Sequence, residues 1–182
     1  MRFFALTPGA RLWTAVAPQG RYTLERIEFH HDVLFAATGT GEAPHNRMIW
    51  ELLRRGHRGR IASVVTTRTR ADQGYRGAHE CLQQLFPNYR YAAVATREPG
   101  EPGARLQQLL ASGRLEALAG FALDPRHTHV FLCGRPAMVG VPRPQPDGTV
   151  VYPQPGGMVE LLTREHGFTS DAATGNIHFE RY

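Results

Sequence analysis

The chain has 182 residues, of which 42% are hydrophobic and 20% charged, a composition that suits one buried α/β domain and excludes a disordered chain. No run approaches the about 18 apolar residues of a membrane helix, and the short apolar start lacks the charged segment and cleavage site of a signal peptide, so the expectation is a cytoplasmic protein with no membrane partner. The net charge of +5 is carried by Arg, with no Lys; the arginines are dispersed and no aromatic–basic recognition motif accompanies them, so no nucleic-acid partner is expected.

In chain order, residues 11–16 and 21–27 alternate as strands do, with a turn signal at Ala17-Pro18-Gln19-Gly20 between them. Residues 32–37 form a compact apolar run of the kind that lies buried on both faces of a parallel sheet. It ends in Thr38-Gly39-Thr40-Gly41, after which Pro44 marks a helix start and Met48, Ile49, Leu52 and Leu53 follow at helical spacing. Gly56 and Gly59 end that helix. Strands are then expected over residues 61–66, 90–96 and 129–133, and helices over 72–85, 105–111 and from 136. The proline-rich segment 141–155 reads as a loop or insertion, followed by a last helix over 159–165 and a terminal strand over 177–182. This alternation predicts an α/β fold with a doubly wound parallel sheet.

Two cysteines, Cys81 and Cys133, make no disulfide framework, and no metal-ligand spacing is evident. The adjacent pair His30–His31 would point to opposite faces of a strand and reads as surface. No metal is expected.

Four groups of residues carry chemistry. Thr38-Gly39-Thr40-Gly41-Glu42-Ala43-Pro44 joins a buried strand to a helix, where glycines let a backbone approach a diphosphate and the helix start offers unpaired N–H groups. On spacing alone it could equally be a tight turn. Phe131-Leu132-Cys133-Gly134-Arg135-Pro136-Ala137-Met138 places a cysteine at a strand end. Arg68, Arg97 and Arg105 follow two strands and open a helix, on the edge where open parallel sheets bind ligands; solvated surface arginines are the alternative. The chain ends Glu180-Arg181-Tyr182.

Together these strings resemble the ferredoxin–NADP(H) reductase family, through its T-G-T-G-x-A-P and C-G-x-P-x-M signatures and its E-x-Y terminus. The resemblance implies a five-stranded NADP(H)-binding domain over residues 31–182 with a flavin-stacking tail, preceded in residues 1–30 by remnant strands of an FAD-binding barrel. It implies NADP(H) binding through Thr38, Gly39, Thr40, Gly41, Pro44, Arg68, Tyr75, Arg97, Arg105, Gly134 and Met138, with the three arginines at the 2′-phosphate. Cys133, Glu180 and Tyr182 are implied as catalytic: the cysteine orients the nicotinamide without acting as a nucleophile, the glutamate lies nearby, and the tyrosine stacks on the flavin. The implied activity is ferredoxin– or flavodoxin–NADP(H) oxidoreduction by a monomer that carries FAD when complete. An NADP(H)-binding module without activity, or the reductase component of an oxygenase, is the alternative.

The sequence departs from the family in three places. Most members carry an aliphatic residue where Glu42 stands. The flavin-gripping R-x-Y-[ST] motif is not in this sequence, for which a misassigned or truncated start is the expectation and a deliberately isolated domain the alternative. The final Trp of many bacterial members does not follow Tyr182.

Overall fold

The computed structural model describes residues 7, 9–11, 20, 22–100, 103–171 and 173–181. Its centre is a five-stranded sheet in the order β3-β2-β1-β4-β7. The strands are β1 (Asp32–Thr38), β2 (Ile61–Thr67), β3 (Tyr89–Ala95), β4 (Thr128–Gly134) and β7 (Ile177–Arg181), and every neighbouring pair is parallel. Strands β1 and β2 read DVLFAAT and IASVVTT because both faces of each are covered; a strand half in water would alternate.

The helices divide between the two faces. On one face Leu34, Ala36, Val64, Val130 and Leu132 pack with α3 (Leu106–Ala111), α4 (Arg114–Ala119) and α6 (Met158–His166). On the other, Val33, Phe35, Ile61 and Phe131 pack with Ile49, Leu52 and Leu53 of α1 (Glu42–Arg54), while Leu82 of α2 (Arg76–Leu85) lies against the same cluster. A short α5 (Pro136–Val139) follows β4 directly. The parallel register brings Thr38 level with Thr66 and Ala37 level with Cys133, which in turn pairs with Glu180. The carboxyl ends of the strands therefore share one edge.

Several local expectations are corrected. Residues 12–19 and 21 lie outside the described residues, and the remainder of the second expected strand is not extended pairing: Ile27 N–H donates to Leu24 O at 3.0 Å, closing a turn. Its apolar residues Tyr22, Leu24 and Ile27 instead lie on the Phe35–Phe131 face of the sheet. Helix α1 begins at Glu42, two residues before Pro44, and proline in a first turn forfeits no helical hydrogen bond. The helix expected over 72–85 is split. Asp72 accepts from the Thr69 N–H at 3.0 Å and the Thr69 hydroxyl at 2.9 Å, closing a 3₁₀ turn over Arg70–Asp72, and α2 starts only at Arg76. Helix α4 was not anticipated; Gly113 and Gly120, both left-handed at φ +70° and +81°, delimit six residues too short for a clear period. The segment 141–155 contains a small antiparallel ribbon, β5 (Arg143–Pro144) with β6 (Val150–Val151). Residues His30 and His31 sit in the turn before β1, not in a strand, and their rings are 4.9 Å apart on the same side.

Candidate functional site

A cleft of about 820 Å³ opens along the carboxyl edge of the sheet. It lies where the strand order reverses, since β1 connects forward to β2 on one side and has β4 on the other. Crevices at such switch points hold ligands in open α/β sheets because the loops leave in opposite directions there.

The floor is the glycine turn. Gly39 has φ +53° and, with Thr40 and Gly41, forms a 3₁₀ turn that leads straight into α1. Thr38, Gly39 and Thr40 line the cleft. Gly41 is buried against the next strand: a Cβ there would stand 2.2 Å from the Cys133 carbonyl oxygen. Gly134 makes the reciprocal approach at φ +154°, where a Cβ would meet Thr38 Oγ1 at 2.1 Å. The two sequence motifs are thus one packed unit, tied further by the Arg135 N–H donating to Thr38 Oγ1 at 3.3 Å. Pro44 is half-buried in the first turn of α1, behind the cleft lining.

The arginines stand along the same edge. Arg68 leaves β2, Arg97 follows β3, and Arg105 precedes α3; all three are exposed and line the cleft. None of their guanidinium groups has a carboxylate ion pair among the described residues. The loops bearing the first two are held together by the Arg97 N–H, which donates to Arg68 O at 2.9 Å. Tyr75, 45% exposed, presents an aromatic surface to the same cleft. A planar cation fork is suited to phosphate; Asp72 also lines the cleft near Arg68, and the three cations together still outnumber it, which favours a dianion.

Glu42 opens α1 directly after the glycine turn. It reaches the cleft wall but is only 2% exposed, and its Oε1 lies 3.3 Å from His79 Nε2. His79 in turn bonds Asn46 at 2.9 Å and Tyr89 at 2.6 Å and stacks on Tyr91. The carboxylate is drawn into the seam between α1, α2 and β3, where this polar cluster replaces the apolar packing an aliphatic residue would give.

Cys133 and Glu180 are cross-strand partners on β4 and β7. The cysteine is buried, and burial together with the nearby Glu180 charge pushes its thiol up to about 11. It stays protonated at neutral pH, consistent with a positioning role and not with a nucleophile. Glu180 is exposed. Met138 is buried at the cleft end of α5 and lines the cavity. Tyr182 lies outside the described residues.

Two contributors escaped sequence reasoning. Arg135, the variable residue of the Cys133 motif, is exposed at the cleft; an arginine directly after a β4 glycine was the available signal. Tyr22 sits close enough to Cys133 and Glu180 that, after burial, their charges help raise its phenol well above the ordinary range. Nothing in its local sequence marked it.

Comparison with known proteins bears on this geometry. Residues 35–143 match the family described as the oxidoreductase NAD-binding domain. The chain is 33% identical over 151 residues to ferredoxin–NADP reductase B of Sorangium cellulosum (strain So ce56), covering 82% of this chain and 61% of that one. It is 27% identical over 141 residues to the flavodoxin/ferredoxin–NADP reductase of Escherichia coli (strain K12), covering 76% of this chain and 57% of the relative. The chain therefore spans about three-fifths of these relatives' length. Among solved structures, a ferredoxin NADP+ reductase from Neisseria gonorrhoeae with bound FAD and NADP superposes with TM-score 0.70 at 20% identity, over 90% of this chain and 61% of that one.

Proposed function

The chain belongs to the oxidoreductase NAD-binding domain family, in its ferredoxin reductase branch, and we propose that it is the NADP(H)-holding part of a ferredoxin– or flavodoxin–NADP(H) oxidoreductase. The observation that carries the reading is the arginine row beside the glycine turn. Residues 31–182 serve as the nucleotide domain, and residues 1–30 as the end of an FAD barrel.

In this reading the N–H groups of the 3₁₀ turn and the start of α1 face the diphosphate, where the positive end of the helix dipole favours an anion. Glycine is required there twice over, by the positive φ of Gly39 and by the contact of Gly41 with β4. Arg68, Arg97 and Arg105 take the 2′-phosphate, and Tyr75 flanks the adenine. The nicotinamide reaches the Cys133–Glu180 pair past Gly134 and Met138. FAD, when bound, supplies the exchange between a two-electron hydride and single electrons, which no side chain can perform. The residues on the flavin side would be Cys133, whose thiol would help set the position of the nicotinamide ring, Glu180 at the exposed edge, and Tyr182, which would stack on the flavin. Ferredoxin or flavodoxin is the electron partner. Among the described residues no helix is long and apolar enough to cross a membrane.

Calorimetric titration of 2′-phospho-AMP and of AMP into the 182-residue chain tests the site without flavin. The three charge-assisted contacts give 2′-phospho-AMP an advantage of about a hundredfold. Arg68→Ala with Arg97→Ala removes most of that advantage and leaves AMP binding unchanged. Equal affinity of the unmodified chain for both ligands rejects the reading.

A further inference from the structure

The opposite edge of the sheet holds a second concentration of chemistry. Glu28, His30 and His31 each offer a ligand atom, and these atoms all lie within 4.8 Å of one another. Behind them the His31 ring packs on the His129 ring at 4.7 Å, and His129 Nδ1 is 3.0 Å from His178 Nε2. His57 donates from Nε2 to the His31 carbonyl at 2.7 Å. Histidines thus gather at the amino ends of β1 and β4, away from the nucleotide cleft at the carboxyl ends.

The turn that presents the three ligands is held firmly. Phe29 O accepts from the N–H groups of Arg58 and Gly59 at 2.8 and 3.1 Å, and His31 N–H donates to Glu28 O at 3.1 Å. A Cβ on Gly59 would lie 2.0 Å from the His31 carbonyl oxygen, so the two loops are in backbone contact that only glycine permits. The backbone is fixed while the ligating side chains remain free: Glu28 and His30 are 68% and 65% exposed, with Oε2 and Nε2 3.7 Å apart. Two ligands on one tetrahedral ion with bonds of about 2.1 Å stand roughly 3.4 Å apart. The Glu28–His30 spacing is already close to that, and rotation of these exposed side chains closes the remainder onto His31. The Glu28 N–H now donates to His31 Nδ1 at 3.2 Å; this contact orients the ring and is given up when the ring turns to a metal.

We propose that Glu28, His30 and His31 form a binding site for a divalent transition-metal ion of the zinc type, with water completing the shell. Two imidazoles and one carboxylate suit Zn²⁺, Ni²⁺ or Cu²⁺ and leave Mg²⁺ and Ca²⁺, which require more oxygen ligands, without a site. The ion clamps the turn that carries the chain from Tyr22–Ile27 into β1.

The test uses the 182-residue protein with Zn²⁺ alone, by calorimetry in a non-chelating buffer, with Mg²⁺ and Ca²⁺ as comparison ions. One Zn²⁺ per chain is expected, with no heat from Mg²⁺ or Ca²⁺. His30→Ala with His31→Ala weakens Zn²⁺ binding by more than about tenfold, while His166→Ala on α6 leaves it unchanged. The double variant's affinity for 2′-phospho-AMP, within twofold of the parent's, shows that its fold is intact. Absence of stoichiometric Zn²⁺ binding overturns the proposal. So does a double variant that binds Zn²⁺ as the parent does, which would place the ion elsewhere, as at the exposed Cys81.

Discussion

At the scale of single residues, the closest constraint is the approach of Gly41 to β4. Replacing Gly41 with alanine puts a methyl 2.2 Å from the Cys133 carbonyl oxygen, a distance that backbone must shift to relieve. Overpacking of this kind costs typically about 1–3 kcal/mol. Gly41→Ala therefore lowers the urea midpoint, and it also weakens 2′-phospho-AMP binding because the turn that carries the diphosphate site moves with it. Gly77→Ala on α2, where a Cβ meets nothing within 4 Å, is the matched control and leaves binding unchanged. Unfolding and calorimetry on the two variants check this, and equal behaviour refutes it. The glycines were legible in the sequence as a motif, but their physical reasons were not. The partner that forbids a Cβ at Gly41 is 92 positions away, on a strand whose register no local pattern reveals. Glu42 illustrates the same limit. Its charge was visible as an anomaly, whereas the buried His79 that receives it comes from α2, and only the packing of α1 on α2 brings them together.

At the scale of elements, the face of the sheet under α1 carries an unusual number of polar rings. His45 on α1 is fully buried beside Phe35, and its Nε2 shares a 2.6 Å hydrogen bond with Tyr22. Burial lowers its pKa from 6.5 to about 3. The unfolded chain therefore takes up a proton at this histidine in a range where the folded chain does not. Stability is at its full value above pH 6.5 and falls as the pH drops from there toward 3, by up to about 1.4 kcal/mol per pH unit for this group. Urea unfolding between pH 7.5 and 5 shows the decline, to which His129 and His178, lowered by burial to about 4 and 3, add in the same direction; His45→Gln makes the slope shallower by its own share, whatever the variant's stability at pH 7.5. An unchanged slope removes His45 as a contributor. Strand positions on this face were read well from sequence because β1, β2 and β4 are apolar runs buried on both sides. The helices fared less well where a side chain diverted the backbone. Asp72 was read as a helical residue, but its carboxylate bonds the backbone and hydroxyl of Thr69 and closes a separate turn. Tyr22–Ile27 carries the apolar content of a strand and folds as a turn, since it covers the sheet without joining it.

At the scale of the whole molecule, the order β3-β2-β1-β4-β7 places the last strand of the chain at one border, where it pairs with β4 alone. This has a consequence for biosynthesis. The elements emerge in sequence order, so β1 to β4 can assemble before β7 has been made. Throughout that interval β4 is the border strand, with Val130 and Leu132 beside an edge of unpaired backbone groups that Ile177–Arg181 later covers. Until β7 pairs, the domain is thus most prone to associate with its own kind, and loss of β7 leaves it in that state permanently. A chain ending at Asn176 is expected to elute from size-exclusion chromatography as large species, while the full chain with Tyr182→Ser, which keeps β7, elutes as the parent does. If the shortened chain elutes at the parent's position with its cleft still binding 2′-phospho-AMP, β7 is dispensable for solubility. Otherwise, loss of β7 removes the protein from solution before its chemistry can be measured.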